Sequence, residues 1–288
     1  MKYSHKQHGL SLIELMIAMV VSLVLVAGVG TVYMSSKRNY HARDQFSLMD
    51  ETARVALNAL TKHLEHAGYA TPTKLPLGDY MYPLGGTTPP KAPCNSSDKG
   101  VHPSLNLTTF AARATQDSYK PDGVTTTGDA VSVRFLGDST LFTDCANGEL
   151  PEDCRVGKAP SMEAALIYNT FFVNESTGYP TLMCSGSRNN DAAPIANGVE
   201  NIQFLYGVDT NADGNVDQYL NATGVSAAAA WLQVVSIKVG ILVRSLEQVL
   251  PTAEAKSYDV LDTTLSRNDR FQRSVYTAVI HLRNVVEG

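Results

Sequence analysis

The chain is apolar at almost every position from Leu10 to Met34, interrupted only by small or hydroxylated residues and by one carboxylate, Glu14. Continuous hydrophobicity over that length predicts a helix of about 37 Å at ~1.5 Å per residue, enough to cross a hydrocarbon core of ~30 Å. Beyond it the pattern turns from all-round to one-sided. Phe46, Met49, Ala53, Leu57, Leu60, Leu64 and Ala67 recur at steps of three and four, while Arg43, Asp44, Asp50, Glu51, Arg54, Lys62 and Glu65 take the other faces. Lys62, His63 and His66 suit the carboxyl end of a helix, where they read as surface residues, and Gly68 is placed to stop it. One helix from Leu10 to Gly68 would run about 88 Å. Gly28 and Gly30 are expected to bend or loosen it, because glycine is a poor helix former. The second half of so long a helix needs a surface to dock on.

After the helix the texture changes twice. Residues 69–104 contain seven of the thirteen prolines together with Gly78, Gly85, Gly86 and Gly100, which predicts irregular chain. Alternation with a period of two then takes over: Val131, Val133 and Phe135; Val235, Ile237, Val239, Ile241 and Val243; Tyr276, Ala278, Ile280 and Leu282. Further runs lie at 165–173 and 202–207. His281 falls opposite Ile280 and Leu282 as an ordinary strand residue. Short alternating strands separated by turn signals predict an antiparallel sheet covered on one face. The expected fold class is α+β: a long amino-terminal helix, membrane-spanning and then amphipathic, packed on an antiparallel β-sheet head.

Composition narrows the function. The formal net charge of the 288 residues is −5, and without Lys2 and Lys6 it becomes −7, with 21 basic against 28 acidic residues. That balance makes nucleic acid an unfavoured partner, since such binding depends on Lys and Arg neutralising phosphates. The four cysteines, Cys94, Cys145, Cys154 and Cys184, all lie after the apolar run, and none has the two-residue spacing of a zinc knuckle. They predict an oxidising compartment with one or two bridges among three connectivities. Cys145 and Cys154 bracket the turn-rich Ala146-Asn147-Gly148-Glu149-Leu150-Pro151 and are expected to close a small loop, leaving Cys94 to Cys184 as the long bridge.

The amino end is more specific. A cleavable secretory signal would have a shorter apolar region and a small-residue site at its far end, and Leu25-Val26-Ala27 is a poor one. A plain anchor leaves Glu14 unexplained, because a charge inside hydrocarbon is costly. Gly9-Leu10-Ser11-Leu12-Ile13-Glu14-Leu15, preceded by Lys2 and Lys6, resembles the leader of type IV prepilins and secretion pseudopilins; Leu10 stands where Phe is commonest. The resemblance implies cleavage by a prepilin peptidase between Gly9 and Leu10, methylation of the new amino terminus, and Glu14 as the residue that pairs with a neighbouring subunit during assembly. Leu64-Glu65-His66-Ala67-Gly68-Tyr69, the stretch from Gly198 to Asp209 and the region from Arg270 to Asn284 resemble PilW-type minor pilins. The implied organisation is a leader at 1–9, the transmembrane half of the helix at 10–36, its amphipathic half at 37–68, and a β-rich head at 69–288. The implied partners are the inner membrane, other minor pilins, the major pilin and a PilY-type tip adhesin. The implied role is priming of the pilus and a place at its tip, with the head periplasmic before assembly. A J-type minor pseudopilin of type II secretion and a DNA-uptake pilin share the same leader.

One loop carries candidate metal chemistry. Asp209, Asn211, Asp213, Asn215 and Asp217 alternate around Gly214, the spacing of the first nine positions of an EF-hand calcium loop. Leu220 stands where the bidentate glutamate would be, and Asn, Asp and Gly also suit a hairpin turn. Nothing resembles a catalytic set: Ser185-Gly186-Ser187 lacks a nucleophile elbow, and no phosphate-binding glycine loop follows a strand.

Overall fold

The computed structural model describes residues 11–70, 80–84, 112–121, 127–175, 178–188 and 192–284. The leader with Gly9 and Leu10, Cys94 and most of the proline-rich segment lie outside the described residues.

Helix α1 runs from Leu12 to Leu64 as one element of 53 residues, and Gly28 and Gly30 do not interrupt it. Its first half is exposed all round, with Leu12, Leu23 and Val29 each at 70% or more. Its second half buries Gln45, Met49, Ala53, Ala56, Leu60 and Leu64. The apolar stripe expected from sequence is therefore corrected at its start. Phe46 is 46% exposed, and the inner place falls to Gln45. The reason is a hydrogen-bonding one: the Gln45 carboxamide oxygen accepts the backbone N–H groups of Leu246 (3.1 Å) and Glu247 (3.3 Å) near the carboxyl end of the long strand Val234–Gln248. Ala53 and Ala56 let the helix approach the sheet closely. Gly68 stops the chain at φ +75°, and a Cβ there would lie 2.9 Å from the Asn284 carbonyl oxygen.

Ten strands follow among the described residues, all paired antiparallel. One sheet has the order β1-β2-β3-β4, from β1 (Val131–Leu136), β2 (Leu166–Asn174), β3 (Thr181–Gly186) and β4 (Ala193–Asn197). The other has the order β10-β7-β5-β6, from β5 (Val199–Val208), β6 (Gln218–Leu220), β7 (Val234–Gln248) and β10 (Phe271–His281). Strands β8 (Glu254–Val260) and β9 (Thr263–Asp269) form a separate two-stranded ribbon. A short helix α2 (Ala222–Ala227), capped by Asn221, links β6 to β7.

Alternation fixes which face is inside. Ile237, Val239, Ile241 and Val243 of β7 join Phe204 and Tyr206 of β5, Phe171 of β2, and Met49, Leu60 and Leu64 of α1 in one core. On the opposite face Glu200 of β5 pairs with Arg273 of β10 (2.6 Å) and with Arg267 of β9, and Arg273 also reaches Asp269 (2.7 Å). Glu200 and Arg273 are buried, Arg267 and Asp269 partly so, and together they hold the ribbon against the sheet. Each charge is matched, as buried charges must be. The two sheets meet where Gly128 bridges Ile202 in parallel. A side chain at Gly128 would collide with the Ile202 carbonyl at 2.1 Å.

The cysteine expectation is corrected. Cys145 is bonded to Cys184, across 39 residues and with a Cα–Cα distance of 6.0 Å. Cys154 is also disulfide-bonded. Cys145 cannot turn back on Cys154, because its own segment is pulled onto the sheet: its N–H donates to the Asn169 side chain (2.9 Å) beside β3. Asp144 completes the anchor by accepting N–H groups from Ala146, Gly148 and Arg188. Burial nevertheless pushes its carboxyl above the usual range, those three bonds offsetting only part of the cost.

Candidate functional site

The amino end of α1 is built around Glu14. Ser11 is the N-cap; its hydroxyl accepts the Glu14 N–H at 3.3 Å, and the Glu14 carboxylate accepts the Ser11 N–H at 3.2 Å. This reciprocal capping box satisfies two of the orphan donors at a helix start, and the helix dipole favours a carboxylate there. Glu14 is exposed, on a helix whose every neighbour down to Met34 is apolar or small.

Four polar links seat the other half of the helix on the head. Besides Gln45, the Thr52 hydroxyl donates to the Asn197 carbonyl at 3.3 Å. Tyr276 of β10 donates its hydroxyl to Asp50. Burial first, and then the hydrogen bond to Asp50, push that phenol up to about 12. At the far end Arg283 pairs with Glu65 (3.1 Å), while the Asn284 amide donates to the carbonyls of Glu65 (2.9 Å) and Ala67 (3.3 Å). The carboxyl-terminal strand region thus caps the helix that the amino terminus begins.

His63 and His66, expected on the surface, are instead wedged against aromatic rings. His63 lies 5.8 Å from the ring of Phe171, with Nδ1 3.4 Å from the Asn169 amide; His66 lies 5.7 Å from Phe135. Burial, then the neighbouring His66 and Lys62, lower His63 to about 4. His66 is lowered for the same leading reason. Helix-end logic placed them correctly along the chain but could not reveal that β1 and β2 close over that end.

The Asp209–Asp217 loop joins β5 to β6 as a hairpin connection. Its oxygens serve the backbone: Asp209 accepts N–H groups from Asn211, Asp213 and Gly214, Asn211 from Asp213, Asp213 from Asn215, and Asp217 from Thr210. Asparagine and aspartate fold turns in this way without an ion. Among the described residues no group of three or more His, Cys, Asp or Glu is arranged to hold a metal ion.

What the arrangement offers is a handle and a body: an exposed apolar rod with a single charge near its tip, continuous with the helix half that packs on a β-rich head. Comparison with known families agrees. Residues 4–30 match the prokaryotic N-terminal methylation motif, and residues 170–284 match PilW, the type IV pilus-assembly protein W. The chain is a type IV pilin-like protein that carries a PilW domain. The PilW match runs from within β2 to the end of the described chain, including the Asn284 cap. A type IV-like pilin from Thermus thermophilus is similar in structure at 16% identity and a TM-score of 0.30, over 55% of this chain and 78% of that one. At that score the likeness adds nothing to the fold described above. No curated protein matches the chain. Proteins with these two segments are structural pilins that associate with other pilins and the assembly machinery, and the apolar helix here is long enough to cross a membrane.

Proposed function

We propose that this PilW-type pilin is cut by a prepilin peptidase between Gly9 and Leu10 and then co-assembles with other minor pilins to prime the pilus and occupy its tip. Before assembly its head stands in the periplasm and α1 in the inner membrane. The observation that carries this reading is the division of α1. One half is seated on the head by Gln45, Thr52, Asp50 and Glu65, and the other exposes every apolar residue to whatever surrounds it. A disulfide between Cys145 and Cys184 suits an oxidising compartment.

Glu14 supplies the assembly contact. A carboxylate among apolar helices is stable only when matched, and the amino terminus of a neighbouring subunit is the charge available in a bundle of such helices. The test is recovery of the protein in sheared pili. The Glu14→Val variant should insert in the membrane at normal abundance and be depleted from the pilus fraction; wild-type stoichiometry there would sink the idea. Cross-linking of the full chain in membranes should capture pilins, and capture of type II secretion pseudopilins alone would redirect the assignment to that machinery.

A further inference from the structure

Where α1 leaves the apolar run, the connection from β7 to β8 leans against it and encloses a notch of about 1010 Å³. The notch is two-toned. Its lower wall is Ala27, Gly30 and Met34, and its upper wall carries Arg38 from the helix and Arg270 from the turn before β10. Leu250 separates it from a second hollow of about 500 Å³ bordered by Arg43. The Arg270 Nε donates to the Leu250 carbonyl at 2.8 Å, and Leu250 N–H donates back to the Arg270 carbonyl. That exchange holds the guanidinium in place and leaves its terminal amino groups with no protein acceptor among the described residues. Arg38 likewise has no ion-pair partner there, although Glu247 also lines the notch.

Depth matters as much as charge. Arg38 stands about 6 Å beyond Met34 at ~1.5 Å per residue, which is the scale of a headgroup layer. Tyr33 and Tyr40 are 65% and 71% exposed and bracket that level, as aromatic side chains do at membrane interfaces. Lys37, Arg38 and Arg43 stand on the side of the span that the positive-inside tendency disfavours, if the head is periplasmic. Arg38 and Arg270, with no ion-pair partner among the described residues and only Glu247 as an acidic neighbour in the notch, leave room for another anion.

We propose that the notch between α1 and the β7–β8 connection binds the phosphate headgroup of one anionic phospholipid of the outer leaflet, such as phosphatidylglycerol. Arg38 and Arg270 clamp the phosphate, and an acyl chain lies along Ala27, Gly30 and Met34. The inference rests on the membrane topology given under Proposed function. Bound lipid would hold the head at a set height over the bilayer until the subunit is extracted.

The test uses the full-length protein in detergent micelles, titrated with phosphatidylglycerol or phosphatidylcholine and read by native mass spectrometry of the lipid adducts. Phosphatidylglycerol should be retained preferentially. Each of Arg38→Gln and Arg270→Gln should weaken it about five-fold, the worth of one basic residue at an anionic surface. Arg270→Lys should keep most of the preference, and Arg283→Gln at the opposite end of the head should change nothing. Equal retention of the two lipids, or displacement by free glycerol phosphate as effective as by lipid, would overturn the proposal. Incorporation into bilayers is measured separately by flotation with phosphatidylcholine vesicles. A chain that floats but shows no lipid preference refutes the notch alone, and a chain that does not float refutes the topology and the notch with it.

Discussion

Two titratable groups in the head, His63 half-buried and Asp129 buried, pull stability in opposite directions with pH. His63 is lowered from 6.5 to about 4, first by burial against Phe171 and then by His66 and Lys62. The unfolded chain binds that proton more readily, so His63 contributes stability that is full above pH 6.5 and is lost as pH falls toward 4. Asp129 is raised from 3.8 to about 7, first by burial and also by Asp117 and Asp262, although it accepts the N–H groups of Phe204 and Ser118. Here the folded state holds the proton more tightly, so stability is full below pH 3.8 and falls as pH rises toward 7. At ~1.4 kcal/mol per unit the two effects come to about 3 and about 4 kcal/mol, nearly cancelling between pH 4 and 7. Substitution exposes each one. Asp129→Asn should gain on the wild type by about 4 kcal/mol as pH rises from 4 to 7, and His63→Gln should gain by about 3 kcal/mol as pH falls from 6.5 to 4. Urea unfolding of the full chain in micelles measures both, followed by the fluorescence of Trp231, the one tryptophan, which packs edge-on against Tyr206. A difference from wild type that does not change with pH, for either variant, would refute the assigned cause.

Other expectations follow from the same geometry. Leu60→Ala removes a fully buried side chain at the junction of helix and sheets and should cost about 3–4 kcal/mol, lowering the melting temperature by roughly 10 °C, whereas Val55→Ala on the outer face should stay within ~0.5 kcal/mol; equal effects would mean the helix is not seated as described. Replacing Cys145 and Cys184 by Ser should cost about 4 kcal/mol by loop-closure entropy over 39 residues, and peptide mapping of the oxidised protein should recover that pair joined. Calcium in place of chelator should move the melting temperature by less than about 1 °C, because the Asp209 to Asp217 oxygens already serve the backbone; a shift of several degrees would restore an ion to that loop.

Legibility in the sequence followed how local each signal was. The helix, β1, β2, β5, β7 and β10 announce themselves by periodicity, and Gly68 by its place after the stripe. The β8–β9 ribbon does not, because Glu254–Asp269 is polar on both faces and is held by Glu200 and Arg273, of which Glu200 is far from it in sequence. Gln45 could have been found: it stands four residues before Met49, on the stripe, where a polar residue needs a partner. The Cys145 pairing was beyond reach, since it depends on Asn169 and Asp144 drawing that segment onto β3. The leader motif was readable because its chemistry is contiguous, and the helix seat was not, because its contacts span up to 226 residues.

The energetics of assembly return to Glu14. Moving Leu, Ile and Val from lipid into a bundle of similar helices changes their surroundings little, so the apolarity of the run from Leu10 to Met34 does not by itself specify register. Glu14 is the only charged residue between Leu10 and Ser36, so a register set by charge along that run would fall to it. Its carboxylate receives one internal hydrogen bond, from Ser11, against a capacity of about four. Capping alone and charge pairing make different demands on that residue. Glu14→Gln keeps an oxygen for the Ser11 N–H but has no charge to offer a neighbour's amino terminus. If capping were the whole role, the Glu14→Gln protein would be incorporated normally; if pairing sets register, Glu14→Gln should be depleted from sheared pili as strongly as Glu14→Val. Recovery of the Glu14→Gln protein at wild-type levels would reduce Glu14 to a helix cap.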